Sequence, residues 1–307
     1  MKKLIMSLLL FSLCNASYAN KETEVVVLFT PGGVNDVVGR SVAEYLTKNK
    51  LESIVVNKPG GDGIIGIQYA QSRPNSMFVA NAGSTVFNRV LKQKLPYDME
   101  KDFSLVVPIA SVPSSLIVNA QSKIKNMDEF IAVAKTKNLN CGTSNKGTEM
   151  ALRTLLVNLD LPNVAVVPYK STSQIMVDLL GGQIDCTMEP ISSFVQHHES
   201  GKVIVIGNAS DKVYTKLKDV PFLSKWVPNF KFESWFGIAV PNTVEQSRRE
   251  QYIKLLSSID KDPDFVKSIT DAGMQVNTPS KNPADWYGRE YIKWEATRHR
   301  LNISKQE

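Results

Sequence analysis

Two short loops carry the residues whose types and order could do chemistry. Thr30-Pro31-Gly32-Gly33 interrupts an apolar run. It is followed by Val34, Val37, Val38, Val42, Tyr45 and Leu46 at helical spacing. Thr143-Ser144-Asn145-Lys146-Gly147 likewise precedes a helix predicted over residues 148–159. Glycine removes side-chain bulk, so backbone N–H groups can face a bound anion, and the helix end adds about half a positive charge. One such loop alone reads as a tight turn. Two of them, at the carboxyl ends of two sheets, lie where open α/β folds bind ligands. The chemistry implied is capture of an anion rather than bond making.

Signals for catalysis are sparse. His197 and His198 are adjacent, so on a helix they do not share a face, and neither pairs with a cysteine at metal-ligand spacing. His299 reads as a solvated residue of the last helix. The sequence holds no Gly-x-Ser-x-Gly nucleophile elbow and no Walker A lysine. Gly61-Asp62-Gly63-Ile64-Ile65-Gly66 spells the dinucleotide fingerprint, but it follows the second strand. Where an acidic residue belongs, about 20 positions on, the chain reads Val79-Ala80-Asn81-Ala82. A tight turn with close helix–sheet packing is the better reading. No cofactor, no metal and no enzymatic activity are expected. Trp226, Trp235, Trp286 and Trp294 read as packing residues. Cys141 and Cys186 both sit in apolar, strand-like segments, and a disulfide and a pair of buried thiols remain open.

The elements that must position the loops follow a repeated order of strand, loop and helix. Strands are predicted at 24–29, 53–57 and 77–80, with glycine loops and helices between them. Residue 80 leads into Asn81-Ala82-Gly83-Ser84-Thr85. The order restarts after Ala120, with a helix at 127–136, strands at 139–142, 164–168 and 184–188, and helices at 148–159 and 173–180. Two βαβαβ runs predict parallel, doubly wound sheets in two lobes. Beyond Pro241 the pattern is helical, with amphipathic stretches at 244–259 and 284–301, expected to return to the first lobe.

The full chain has 307 residues and a formal net charge of +6. Lys2 and Lys3 precede ten mostly apolar residues, and Ser17-Tyr18-Ala19 fits a small-x-small cleavage site. This reads as a secretory signal peptide cut after Ala19, because the apolar run is far short of the ~20 residues a span needs. Removing it lowers the net charge to +4, and the remaining basic residues form no run or aromatic-interleaved stripe. Nucleic acid is therefore not an expected partner. A mildly positive surface is compatible with anionic ligands.

Six segments, taken in order, make a specific resemblance. They are Phe-Thr-Pro-Gly-Gly-Val-Asn-Asp-Val-Val-Gly-Arg from Phe29, Asn-Lys-Pro-Gly-Gly-Asp-Gly from Asn57, Lys-Leu-Pro-Tyr-Asp-Met-Glu-Lys-Asp-Phe from Lys94, Val-Pro-Tyr-Lys-Ser from Val167, Asp-Leu-Leu-Gly-Gly-Gln-Ile-Asp from Asp178 and Ser-Trp-Phe-Gly from Ser234. The chain resembles the extracytoplasmic solute receptors of the tripartite tricarboxylate transporters, the Bug proteins, over nearly all of the mature sequence.

That resemblance implies an α/β, two-lobed type II periplasmic-binding-protein fold. Residues 20–119 with 235–307 would form one lobe and 120–234 the other. It implies ligand contacts from Phe29, Pro31, Gly32, Gly33, Asn35 and Asp36, from Ser144, Asn145, Gly147 and Thr148, and from Ser84, Thr85, Tyr169, Ser171 and Glu189. It implies a monomeric periplasmic receptor that captures a small organic carboxylate and delivers it to two integral membrane permease subunits. The alternative is a receptor that presents its ligand to a membrane signalling protein. Three positions depart from the family pattern: Glu189 where Asp is usual, Asn145-Lys146 where small residues are usual, and Gly39 where alanine is usual. Glu189 is expected to end its strand facing the cleft.

Overall fold

The computed structural model describes residues 22–305. The expected signal peptide and its cleavage after Ala19 lie outside the described residues. The first half of the fold is built on β1 (Thr23–Val27), α1 (Val34–Lys48), β2 (Ser53–Asn57), α2 (Ile64–Gln71) and β3 (Ser76–Asn81). β2, β1 and β3 pair in parallel, in that order. Side chains alternate across this sheet: Val25 and Val27 face one core, while Val26 and Leu28 face the other. Both faces are covered, which is why the strand read as an unbroken apolar run.

Gly39 shows how tightly α1 lies on the sheet. A Cβ there would sit 2.4 Å from Val27 Cγ2, which accounts for glycine where the family usually has alanine. The Gly61–Gly66 segment is a turn packed against the sheet. Gly63 has φ of +93°, and a Cβ at Gly66 would lie 2.8 Å from the Lys58 carbonyl oxygen.

β4 (Phe103–Asn119) is 17 residues long and joins the two halves. Its first part, to Pro113, pairs antiparallel with β9 (Glu233–Pro241), which also pairs with β3. From Ser114 onward it pairs with β7 (Cys186–Pro190) on one side and β8 (Val203–Asn208) on the other. The second half continues with α3 (Met127–Thr136), β5 (Leu139–Thr143), α4 (Lys146–Asn158), β6 (Val164–Pro168) and α5 (Thr172–Leu180). β7, β5 and β6 are parallel. Among the described residues ten strands thus form one mixed, curled sheet, with a parallel three-stranded unit at each end.

Helix starts in the second half are set by caps. Asn145 Oδ1 accepts from Thr148 N–H at 3.0 Å, so α4 begins at Lys146, two residues before the predicted start. Ser171 caps α5 through Gln174 N–H in the same way. Cys141 and Cys186 are register partners on β5 and β7, fully buried and joined by a disulfide.

The C-terminal helices α6 (Gln246–Leu256), α7 (Pro263–Asp271) and α8 (Pro283–Arg300) pack back on earlier elements; between α7 and α8, β10 (Gln275–Val276) pairs with β4. Tyr252 OH meets Thr23 Oγ1 at 2.9 Å and Ser268 Oγ meets Ser41 Oγ at 2.7 Å, tying α6 to β1 and α7 to α1. On α8, Trp294 packs against Phe87 and Phe232, with ring centroids 5.1 and 5.3 Å away. No helix among the described residues is long and apolar enough to cross a membrane.

Candidate functional site

A cleft of about 490 Å³ lies between the two halves, a size suited to a small organic molecule. The first residues of two helices line it: Asn35 from α1, and Lys146 and Gly147 from α4. At each helix N-terminus the first N–H groups have no intrahelical acceptor. Gly33 caps α1 without a side-chain bond, and Gly32 holds φ of +85°, a conformation that favours glycine. At α4 a Cβ on Gly147 would lie 2.8 Å from Phe87 Cε2 and 3.1 Å from Phe232 Cζ. Glycine there lets the α4 terminus approach the opposite wall.

Each loop is braced from below by a buried carboxylate. Asp36, 4% exposed, accepts from Gly32 N–H at 3.0 Å, from Arg40 Nε at 2.8 Å and from Asn57 Nδ2 at 3.0 Å. Burial alone would raise its pKa, but these bonds and the Arg40 charge outweigh that and hold the carboxyl below the usual range. Glu189, with no exposed surface, plays the same part in the other half. Its Oε1 accepts from Ser144 N–H at 2.7 Å and Thr148 Oγ1 at 3.2 Å, and its Oε2 from Ser144 Oγ at 2.7 Å and Thr172 Oγ1 at 2.9 Å.

Of the expected ligand contacts, the cleft brings together Phe29, Asn35, Ser144, Asn145, Gly147 and Tyr169. Pro31, Gly32, Gly33, Asp36, Ser84, Thr85, Thr148, Ser171 and Glu189 do not line it. Glu189 was expected at the end of its strand, facing the cleft. Instead β7 runs to Pro190, Glu189 pairs with Ser115 inside the strand, and its carboxylate is consumed by the loop. Ser84 and Thr85 are fully buried in a π-helical turn, where Thr85 Oγ1 donates to the Asn81 carbonyl at 2.6 Å. Ser171 is half-buried and spent on its cap.

Sequence reasoning missed several lining residues: Asn81 at the end of β3, Asn88 and Lys92 after it, Asp62 from the turn before α2, and Phe87, Phe232 and Trp235. Asn81 had a signal, since it ends a strand just before a small-residue loop. It donates from Nδ2 to Asn35 Oδ1 at 2.7 Å and fixes that side chain. The charged lining groups are already paired: Lys92 with Asp62 at 3.0 Å and Lys146 with Glu149 at 2.9 Å. Tyr169 donates its hydroxyl to Asp178 at 2.7 Å. Burial, with Asp178 next to it, pushes that phenol up to about 12. Among the described residues no cluster could hold a metal ion.

Residues 38–299 match the model of the tripartite tricarboxylate transporter family receptor. The chain belongs to that family. A UPF0065 protein from the tcbD-tcbE intergenic region of Pseudomonas sp. strain P51 is 26% identical over 296 residues, covering 91% of this chain and 87% of that one. The periplasmic binding protein BugD superposes with a TM-score of 0.77 at 24% identity, covering 93% of this chain and 99% of BugD. An adipate-bound protein of R. palustris gives 0.79 at 20% identity, over 94% and 100%. The fold is the two-lobed type II periplasmic-binding-protein fold, and the curled sheet with its long shared strand is how this receptor builds it. As a tripartite tricarboxylate receptor the chain is a periplasmic solute-binding protein, not an enzyme.

One consequence concerns Glu189. Burial, the largest influence, raises its pKa above the ordinary 4.5, against the four hydrogen bonds that lower it. A carboxyl whose folded pKa is raised favours the folded state at low pH, and that contribution is lost as pH rises through the folded value. Glu189→Gln keeps an acceptor for Ser144 N–H and removes the buried charge. Its stability relative to wild type should therefore rise as pH climbs through the carboxylate range. Glu189→Ala leaves Ser144 N–H unpaired and should cost about 2 kcal/mol. Urea unfolding at several pH values checks both. A difference between wild type and Glu189→Gln that does not vary with pH contradicts the assignment.

Proposed function

We propose that this receptor captures a small organic carboxylate in its cleft and delivers it, as a monomer, to the two membrane permease subunits of a tripartite tricarboxylate-type transporter. The observation that carries this reading is the pair of helix N-termini, α1 and α4, whose first residues line one cleft from opposite halves. Each terminus supplies N–H groups and about half a positive charge to an anion. The family's description as transporter receptors and the adipate held by a relative support the same ligand class.

In this reading residues 20–119 with 235–307 and residues 120–234 act as two lobes that close on the ligand and exclude water. β4 and the approach to β9 carry the chain between them. Lining residues Phe29, Asn35, Ser144, Asn145, Gly147 and Tyr169 make the contacts, and Asp36 and Glu189 hold their loops in place. The protein reaches the periplasm by a signal peptide cut after Ala19, so its mature mass should begin at Asn20.

A thermal-shift screen of mono-, di- and tricarboxylates tests the reading. A ligand at 100-fold excess over Kd stabilises the native state by about 2.7 kcal/mol. Carboxylates that raise Tm, with their amides inert, are expected. A screen in which no carboxylate shifts Tm overturns the proposal.

A further inference from the structure

Resting on the carboxylate reading above, we infer that the ligand is a carboxylate that bears an aromatic ring, and that Phe29 and Tyr169 select for that ring. Six aromatic side chains line the cleft: Phe29, Phe87, Tyr169, Phe232, Trp235 and Phe236. Four of them, Phe87, Phe232, Trp235 and Phe236, are buried core residues and form fixed walls. The other two are half-buried and come from opposite halves, Phe29 just beyond β1 and Tyr169 just beyond β6.

Both half-buried rings are held in ways that leave them apolar toward a ligand. The Phe29 carbonyl accepts from Asn57 Nδ2 at 3.1 Å, which fixes the backbone beneath the ring. The Tyr169 hydroxyl is committed to Asp178, so what remains for a ligand is the ring itself. Aromatic faces prefer offset or edge-to-face contact with another ring. An aliphatic chain bearing several charges gains less from such walls.

Charge limits how many carboxylates the ligand carries. The four charged lining residues are two cations and two anions, Lys92 with Asp62 and Lys146 with Glu149, paired within the wall. The lining therefore carries no net positive charge to offset a trianion, and taking three carboxylates out of water without partners is costly. The two helix N-termini suit one or two carboxylates.

Isothermal titration with benzoate, phenylacetate, adipate, malate, citrate and benzamide tests this. Benzoate or phenylacetate should bind at least about tenfold tighter than any of the three aliphatic acids. Phe29→Ala and Tyr169→Ala should each weaken the aromatic acids about tenfold and the aliphatic acids by less than about threefold, with Phe29→Leu intermediate. Melting curves of the three variants verify that each is folded. The inference is overturned if an aliphatic acid outranks both aromatic ones, or if the variants weaken both kinds equally. Benzamide binding as tightly as benzoate would keep the ring selection and remove the carboxylate reading. Binding by none of the acids would remove both.

Discussion

Replacing Cys141 and Cys186 together by alanine is expected to lower the free energy of unfolding by about 4 kcal/mol. The two cysteines are 45 residues apart in sequence, and the bridge closes a loop that contains α4, β6 and α5. Cross-linking a loop of that size removes much of the unfolded chain's freedom. The bridge also sits where function would feel it. Ser144 lies three residues after Cys141, and Glu189 three residues after Cys186. The register that pairs the cysteines thus continues into the Ser144–Glu189 hydrogen bonds that brace the α4 loop. Loss of the disulfide should therefore weaken ligand binding as well as stability, and a periplasmic location favours its formation. Two measurements check this. Protein denatured without reductant should resist alkylation at both cysteines, and the double variant should unfold at lower urea with an unchanged slope. Full alkylation without reductant would show free thiols and overturn the expectation.

How much of this was legible in the sequence depended on how local the signal was. β2, β6 and α3 fall at their predicted boundaries, because each is a short apolar or periodic run closed by a cap or a loop. The parallel units at both ends of the sheet follow from the strand, loop and helix order. β4 was not legible as a strand. It is buried on both faces, so it shows no alternation, and Pro108 and Pro113 argue against a central strand. Pro108 lies where the register with β9 shifts, between Val106 and Ala110, and is accommodated there. β9 takes its place only by pairing with β3 and β4, more than a hundred residues away.

The site divides in the same way. The two loops at helix N-termini were visible as motifs. Which of their atoms stay free was not, because that is decided by partners distant in sequence. Asp36 takes Gly32 N–H with help from Asn57, and Glu189 takes Ser144 N–H across a strand pair. The Glu189 placement turned on a two-residue shift: β7 runs from Cys186 to Pro190 rather than over 184–188, and its later end puts Glu189 inside the strand. Trp235 was legible as a packing residue but not as a wall of the cleft, and Phe87 and Phe232 gave no signal, since apolar residues at core spacing look alike whichever surface they face.

Converting the ligand's carboxylate to a primary amide is expected to weaken binding by about 3 kcal/mol or more, over a hundredfold. Two ways of holding the anion compete: an ion pair to a lysine, and a pincer of backbone N–H groups and polar side chains. The glycine loop and the 144–148 loop were the expected source of the pincer. Gly32, Ser144 and Thr148 N–H are instead spent on Asp36, Glu189 and Asn145. The donors that remain are the first N–H groups of α1 and α4, with Asn35 and Asn145 beside them in the cleft. Hydrogen bonds to a charged group contribute about 1.5–3 kcal/mol each, and a helix N-terminus supplies more than one. The lysines are poorly placed to compete. Lys146 and Lys92 already pair with Glu149 and Asp62, and Lys170 is exposed and outside the cleft lining. An exposed ion pair contributes about 0–1 kcal/mol. Lys92→Met, Lys146→Met and Lys170→Met should each cost less than about 1 kcal/mol of affinity. Calorimetric titration of the three variants, against the acid and its amide, decides between the mechanisms. A lysine variant that loses as much affinity for the acid as wild type loses on going to the amide would show that this lysine, not the helix termini, holds the anion.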